Sequence, residues 1–154
     1  MPDHSEKKSF EVLIVDDDPV VSLLHKNQLK VTMMPLPPLL FRNGRTALDY
    51  LKKKDSEENN FLILLDIHMP VLNGWEFLTA LKNENLSSGI FVILVTSSIN
   101  KEDHMRSKEF NHVIGFCRKP LLADQLRQIM QLKEVHTLFS GFRKAAMREG
   151  ELRK

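Results

Sequence analysis

A single cysteine, Cys117, stands in a chain of 154 residues, which rules out an internal disulfide and fits a reducing cytosol. No apolar run approaches the length a bilayer demands, so no membrane partner is expected. The opening MPDHSEKKSF lacks an apolar segment, and a secretory signal is not expected there. Excess charge of one sign is missing as well. A net charge of +2, from 22 basic and 20 acidic residues, makes no field to gather nucleic acid or anionic lipid. Neither a G-x-G-x-x-G turn nor a P-loop occurs, which counts against a flavin- or nucleotide-binding protein. What remains is 42% hydrophobic and 27% charged, an ordinary composition for one domain with a full core and too little chain for two. These features predict a single cytoplasmic globular domain.

Short β-branched and aliphatic runs alternate with helical patterns. FEVLIVD (10–16) has the character of a strand buried on both faces. Asp18 is placed to cap the next helix, Pro19 suits its first position, and Val20, Leu23, Leu24 and Val31 supply a mostly apolar face. The prolines of MMPLPPLLFRNG break helix, and PLLF reads as a short edge strand. Gly44 leads into RTALDYLKKK, whose lysines suit the negative end of a helix dipole. FLILLD (61–66) is the most apolar strand and is placed centrally; WEFLTALKNE follows as a helix with Phe77, Leu78 and Leu81 inward. IFVILVT (90–96) is the next strand, and Asn100 with Asp103 marks another helix start. VIGFC is a fifth strand, and Leu122, Leu126, Ile129 and Met130 mark the face of a last helix. Strands joined by crossover helices predict a parallel sheet covered on both faces.

Ligands of such folds bind beyond the carboxyl ends of the strands. Asp16 and Asp17 end the first strand, Asp66 the third and Thr96 the fourth, and Lys119 follows the fifth. Grouped carboxylates repel one another and call for a cation, and an all-oxygen set that leaves room for water and phosphate favours Mg²⁺. A carboxylate nucleophile, a metal, a lysine and a hydroxyl together suit capture of a phosphoryl group.

The stretches VLIVDDDP, LLDIHMPVLNGWEFL, VILVTSS and GFCRKP, in this order and at these strand ends, resemble the receiver domain of two-component response regulators. The resemblance spans residues 8–139 in its stand-alone, single-domain form, with 140–154 a basic extension. It implies a flavodoxin-like (βα)₅ three-layer sandwich with a five-stranded parallel sheet in the order 2-1-3-4-5. It assigns the phosphoacceptor to Asp66, and Mg²⁺ or Mn²⁺ to Asp16, Asp17, Asp66 and the backbone carbonyl of His68. Thr96 and Lys119 are assigned to the phosphoryl group, Thr96 and Phe116 to the switch, and a cis bond to Lys119–Pro120. The implied donor is a sensor histidine kinase or a histidine phosphotransfer protein. The helix 4–strand 5–helix 5 surface would then change for a downstream protein target, or the phosphoryl group would pass onward in a relay. Such a domain catalyses only its own phosphorylation and dephosphorylation and is no ordinary enzyme.

A phosphohydrolase of the haloacid-dehalogenase type fits less well. It wants an acid two residues after the nucleophile and a cap, whereas Asp66 is followed by Ile67 and His68 and no cap-sized insertion exists. The ring of His68 either lies idle in solvent or borders the phosphoryl group and tunes its lifetime. His4, His25, His104, His112 and His136 lack metal-ligand spacing and read as surface residues. Cys117 reads as a small buried hydrophobe, and Trp75 as packing against the loop after Asp66. Past the last helix, Val135, Leu138, Phe139 and Phe142 keep helical apolar spacing, interrupted by Gly141. The tail FRKAAMREGELRK holds five basic and two acidic residues; it reads as a solvated extension, with an extended last helix packed on a second copy or a partner as the alternative. It is too short for a DNA-binding module, so direct DNA binding is not expected.

Overall fold

A computed structural model describes residues 9–32, 37–97 and 100–138. Strands and helices alternate throughout: β1 (Ser9–Val15), α1 (Pro19–Thr32), β2 (Leu39–Phe41), α2 (Gly44–Lys53) and β3 (Asn59–Leu65) make the first half. α3 (Gly74–Glu84), β4 (Gly89–Thr96), α4 (Lys101–Ser107), β5 (Val113–Arg118) and α5 (Ala123–Gln131) make the second. The strands form one parallel sheet in the order β2-β1-β3-β4-β5, the flavodoxin-like order expected. FLILLD does occupy the centre, and the proline-flanked LLF the edge.

Successive side chains of a strand point to opposite faces, and both faces here are apolar. Leu13 and Val15 of β1, Phe61, Ile63 and Leu65 of β3, and Val92 and Leu94 of β4 enter one half of the core. Ala47, Leu48 and Leu51 of α2 and Phe77, Leu78 and Leu81 of α3 close over that half, with Phe110 behind α4. Val12, Ile14, Leu62, Leu64, Ile93 and Val95 enter the other half, beneath Leu29 of α1 and Leu126 and Ile129 of α5. Helices α2, α3 and α4 start where asparagines stop the preceding loops. Asn43 Oδ1 accepts from Thr46 N–H at 2.9 Å, and Asn100 Oδ1 accepts from Asp103 N–H at 2.7 Å. Asn73 and Glu76 exchange backbone bonds in a capping box at α3.

Helix α1 departs from expectation. Its apolar residues Val20, Leu23, Leu24 and Val31 are 65%, 54%, 51% and 83% exposed, while Ser22, His25 and Leu29 face the sheet. Apolar residues on both sides of a helix leave its rotational phase undecided by periodicity. Tertiary contacts choose the phase: Leu29 fills the core, and His25, which was expected on the surface, is buried with a hydrogen bond. Leu122 is also exposed, because it precedes α5 and leaves Leu121 to fill the interior. Beyond α5, Val135 is buried and Leu138 packs on the second half of the core, so the apolar spacing begins as intrachain packing. Phe139, Gly141, Phe142 and the basic tail lie outside the described residues, as does His4.

Candidate functional site

At the carboxyl ends of the strands, Asp16 leaves β1, Asp66 leaves β3, Thr96 ends β4 and Lys119 leaves β5. Asp16 and Asp66 are buried and Asp17 is exposed, and one carboxylate oxygen from each lies within 4.8 Å of the other two. Lys119 Nζ bridges the buried pair, 2.6 Å from Asp16 Oδ2 and 3.1 Å from Asp66 Oδ2. Three carboxylates thus gather where one ammonium pairs with two of them. The remaining negative charge and the oxygen-only donors fit a hard divalent cation. Burial pushes the Asp66 carboxyl above its ordinary pKa; Lys119 opposes this and Asp16 adds to it. Burial acts to lower Lys119, but its bonds to Asp16 and the charges of Asp16 and Asp66 outweigh it and raise the ammonium instead.

Backbone geometry holds the acids in place. Asp16 Oδ1 accepts from the Asp18 N–H at 2.9 Å, and Asp66 Oδ1 accepts from the His68 N–H at 3.2 Å. Asp18 faces elsewhere: its Oδ1 accepts from Val20 N–H at 2.9 Å and Val21 N–H at 3.4 Å, capping α1. Thr96 Oγ1 is buried with no hydrogen-bond partner among the described residues. Its carbonyl accepts from Lys119 N–H at 2.7 Å, and the Lys119–Pro120 peptide is cis. The His68 side chain is exposed. The Phe116 ring is partly buried against the first half of the core and stacks on His104, centroids 5.6 Å apart and planes 6° off parallel.

The chain that carries these residues is similar to known proteins. The family model for the response regulator receiver domain matches residues 12–131. The chain belongs to this family. Response regulator Rcp1 of Synechocystis sp. is 30% identical over 123 residues, covering 78% of this chain and 83% of that protein. A two-component response regulator from Legionella pneumophila shares 26% identity with a TM-score of 0.68, over 79% of this chain and 95% of that one. One from Cytophaga hutchinsonii shares 26% identity with a TM-score of 0.65, over 79% and 94%. Receiver domains are signalling domains, and no helix among the described residues of this receiver is long and apolar enough to cross a membrane.

Three features of this receiver escaped sequence reasoning. Gly74 N–H donates to Ile67 O at 2.8 Å, and a Cβ on Gly74 would sit 2.7 Å from Asp66 O, so α3 begins directly against the acceptor segment. Val71, between them, holds a left-handed φ of 72°, a strained conformation for a β-branched residue beside the site. Trp75 packs with the loop residues Ile67 and Met69 in the first half of the core, as expected. It also stacks on Phe110 (6.1 Å) and carries the Arg106 guanidinium 4.7 Å from its ring centroid, tying α3 to α4. Cys117 packs partly buried on the second half of the core, and burial raises its thiol pKa.

Proposed function

We propose that this receiver is a Mg²⁺-dependent phosphoacceptor whose nucleophile is Asp66. The observation that carries the reading is Lys119 Nζ bridging Asp16 and Asp66, with Asp17 completing a seat for a cation. Asp16, Asp17 and Asp66 would hold Mg²⁺ or Mn²⁺, with the His68 carbonyl as a further ligand. When bound, the cation neutralises charge on the phosphoryl oxygens.

Asp66 Oδ attacks the phosphorus of a phosphohistidine in a sensor kinase or phosphotransfer protein. The O–P bond forms as the N–P bond breaks, and the departing imidazole takes a proton from solvent. Lys119 pairs with one phosphoryl oxygen, and Thr96 donates its unpaired hydroxyl to another. As Thr96 moves inward, Phe116 leaves His104 and turns into the space, and the surface of α4, β5 and α5 changes shape for a downstream protein. Phenylalanine brings no hydroxyl to this motion, so its contribution is packing. Water later attacks the phosphorus, releasing phosphate and restoring Asp66; the exposed His68 ring, two residues past the acceptor, tunes that rate. In this reading the signalling unit spans residues 8–139, with 140–154 a basic extension.

Acetyl phosphate with Mg²⁺ should add one phosphoryl group to the protein by intact mass, and Asp66→Asn should abolish it. Undiminished hydroxylamine-sensitive phosphate in Asp66→Asn would refute the assignment.

A further inference from the structure

His25 lies beneath α1 with 2% of its surface exposed, and its Nε2 accepts a hydrogen bond from the Leu121 backbone N–H at 3.2 Å. An imidazole that accepts at Nε2 carries its proton on Nδ1 and is neutral. Burial keeps it so, holding its pKa below the ordinary value against the pull of Asp16, while Lys119 adds to the depression. Nothing in the phosphoryl chemistry above uses this ring. Its partner, however, directly follows the cis Lys119–Pro120 peptide.

The turn carrying Lys119 is held from both ends. Lys119 N–H donates to Thr96 O at 2.7 Å, which ties the start of the turn to β4. Pro120 has no N–H to give. Leu121 N–H is the next donor, and through His25 it ties the end of the turn to α1. Between these two bonds the lysine must reach carboxylates that leave two different strands, at 2.6 Å and 3.1 Å. A turn released at one end would not keep both distances.

We propose that His25 is a positioning residue for Lys119: its imidazole clamps the β5–α5 turn so that the ammonium meets the phosphoryl group at Asp66. The proposal rests on the reading of Asp66 as phosphoacceptor. A ring that merely satisfied a buried amide would affect stability and leave the behaviour of Lys119 unchanged.

The test compares His25→Gln, whose Oε1 reaches the place of Nε2, with His25→Asn, whose carbonyl falls short. Both are made in the full chain and melted first to establish folding. Labelling by acetyl phosphate at saturating Mg²⁺ should be within about twofold of wild type for His25→Gln and about tenfold slower for His25→Asn. Mg²⁺ affinity by calorimetry should stay at the wild-type value in His25→Gln and tighten in His25→Asn, because an ammonium withdrawn from Asp16 and Asp66 no longer competes with the cation. In a Lys119→Ala background, His25→Asn should add no further slowing. Wild-type rates in His25→Asn, or full slowing without Lys119, would overturn the proposal. If His25→Asn does not fold, His25→Gln decides alone, since a restored acceptor must restore the rate.

A second readout does not depend on phosphorylation. Reductive methylation of Lys119, located by mass spectrometry, should be about tenfold faster in His25→Asn than in His25→Gln, because the released ammonium loses its carboxylate partners. Equal methylation rates overturn the clamp. Labelling that survives in Asp66→Asn overturns the phosphoacceptor reading instead.

Discussion

Replacing Thr96 by valine should stabilise the free protein and weaken it as a phosphoryl acceptor. Thr96 Oγ1 lies fully inside at the end of β4 without a hydrogen-bond partner among the described residues. A hydroxyl withdrawn from water with no compensating bond costs about 1–3 kcal/mol. Valine keeps the β-branch and nearly the same shape, so the change opens no cavity and suits a strand. Thr96→Val should therefore gain about 1–3 kcal/mol in urea denaturation. At about 3 °C per kcal/mol for a domain of this size, the melting temperature rises by about 3–9 °C. With beryllofluoride bound as a phosphoryl mimic, the sign reverses. A hydroxyl bonded to an anionic oxygen contributes about 1.5–3 kcal/mol, so the variant should bind the mimic about ten- to a hundredfold more weakly. Thr96→Ser keeps the hydroxyl and should bind like wild type, though it loses a buried methyl. A free Thr96→Val protein less stable than wild type would mean that Oγ1 is already bonded. Undiminished binding of the mimic would mean that the hydroxyl does not face the phosphoryl group. Either result refutes the reasoning.

The phase of α1 can be tested by stability alone. Leu29→Ala should cost about 2–5 kcal/mol because Leu29 is buried, whereas Leu24→Ala, on the exposed face, should stay within about 0.5 kcal/mol; equal costs would refute the assignment. Tyr50 is the one tyrosine of the chain, and its hydroxyl donates to Glu11. Burial first, then that bond and the charge of Glu11, raise its pKa from 10.0 to about 12. Its contribution to stability is thus fully present below 10.0 and is lost as pH rises through about 12. Phenolate absorbance should report that midpoint, and Glu11→Gln should lower it; an ordinary midpoint in the native protein would contradict the contact.

The alternating apolar segments were enough to predict five parallel strands with covering helices, because a strand buried on both faces must be apolar throughout. The order of the sheet came from the resemblance, and the hydrogen-bonded registers agree with it. Asp16, Asp17, Asp66, Thr96 and Lys119 were legible for a related reason: strand ends in a parallel sheet share one rim, so their order in the chain reveals their proximity. The caps Asp18 and Asn100 were legible because capping is local, and local chemistry is written in neighbouring residues.

Contacts between distant segments were another matter. Whether α1 would bury Leu24 or His25 depended on a donor at Leu121, close in space and far along the chain. The stack of His104 on Phe116, the guanidinium over Trp75 and the pressure of Gly74 on Asp66 likewise join different elements. Periodicity records that a residue is apolar or polar; it does not record which side of a helix faces the sheet when both sides are mixed. The residues of the site were therefore fixed by type and by position at a strand end, which the chain alone carries. How the ammonium of Lys119 is aimed, and by which buried ring its turn is held, was decided only when packing brought α1 against the end of β5.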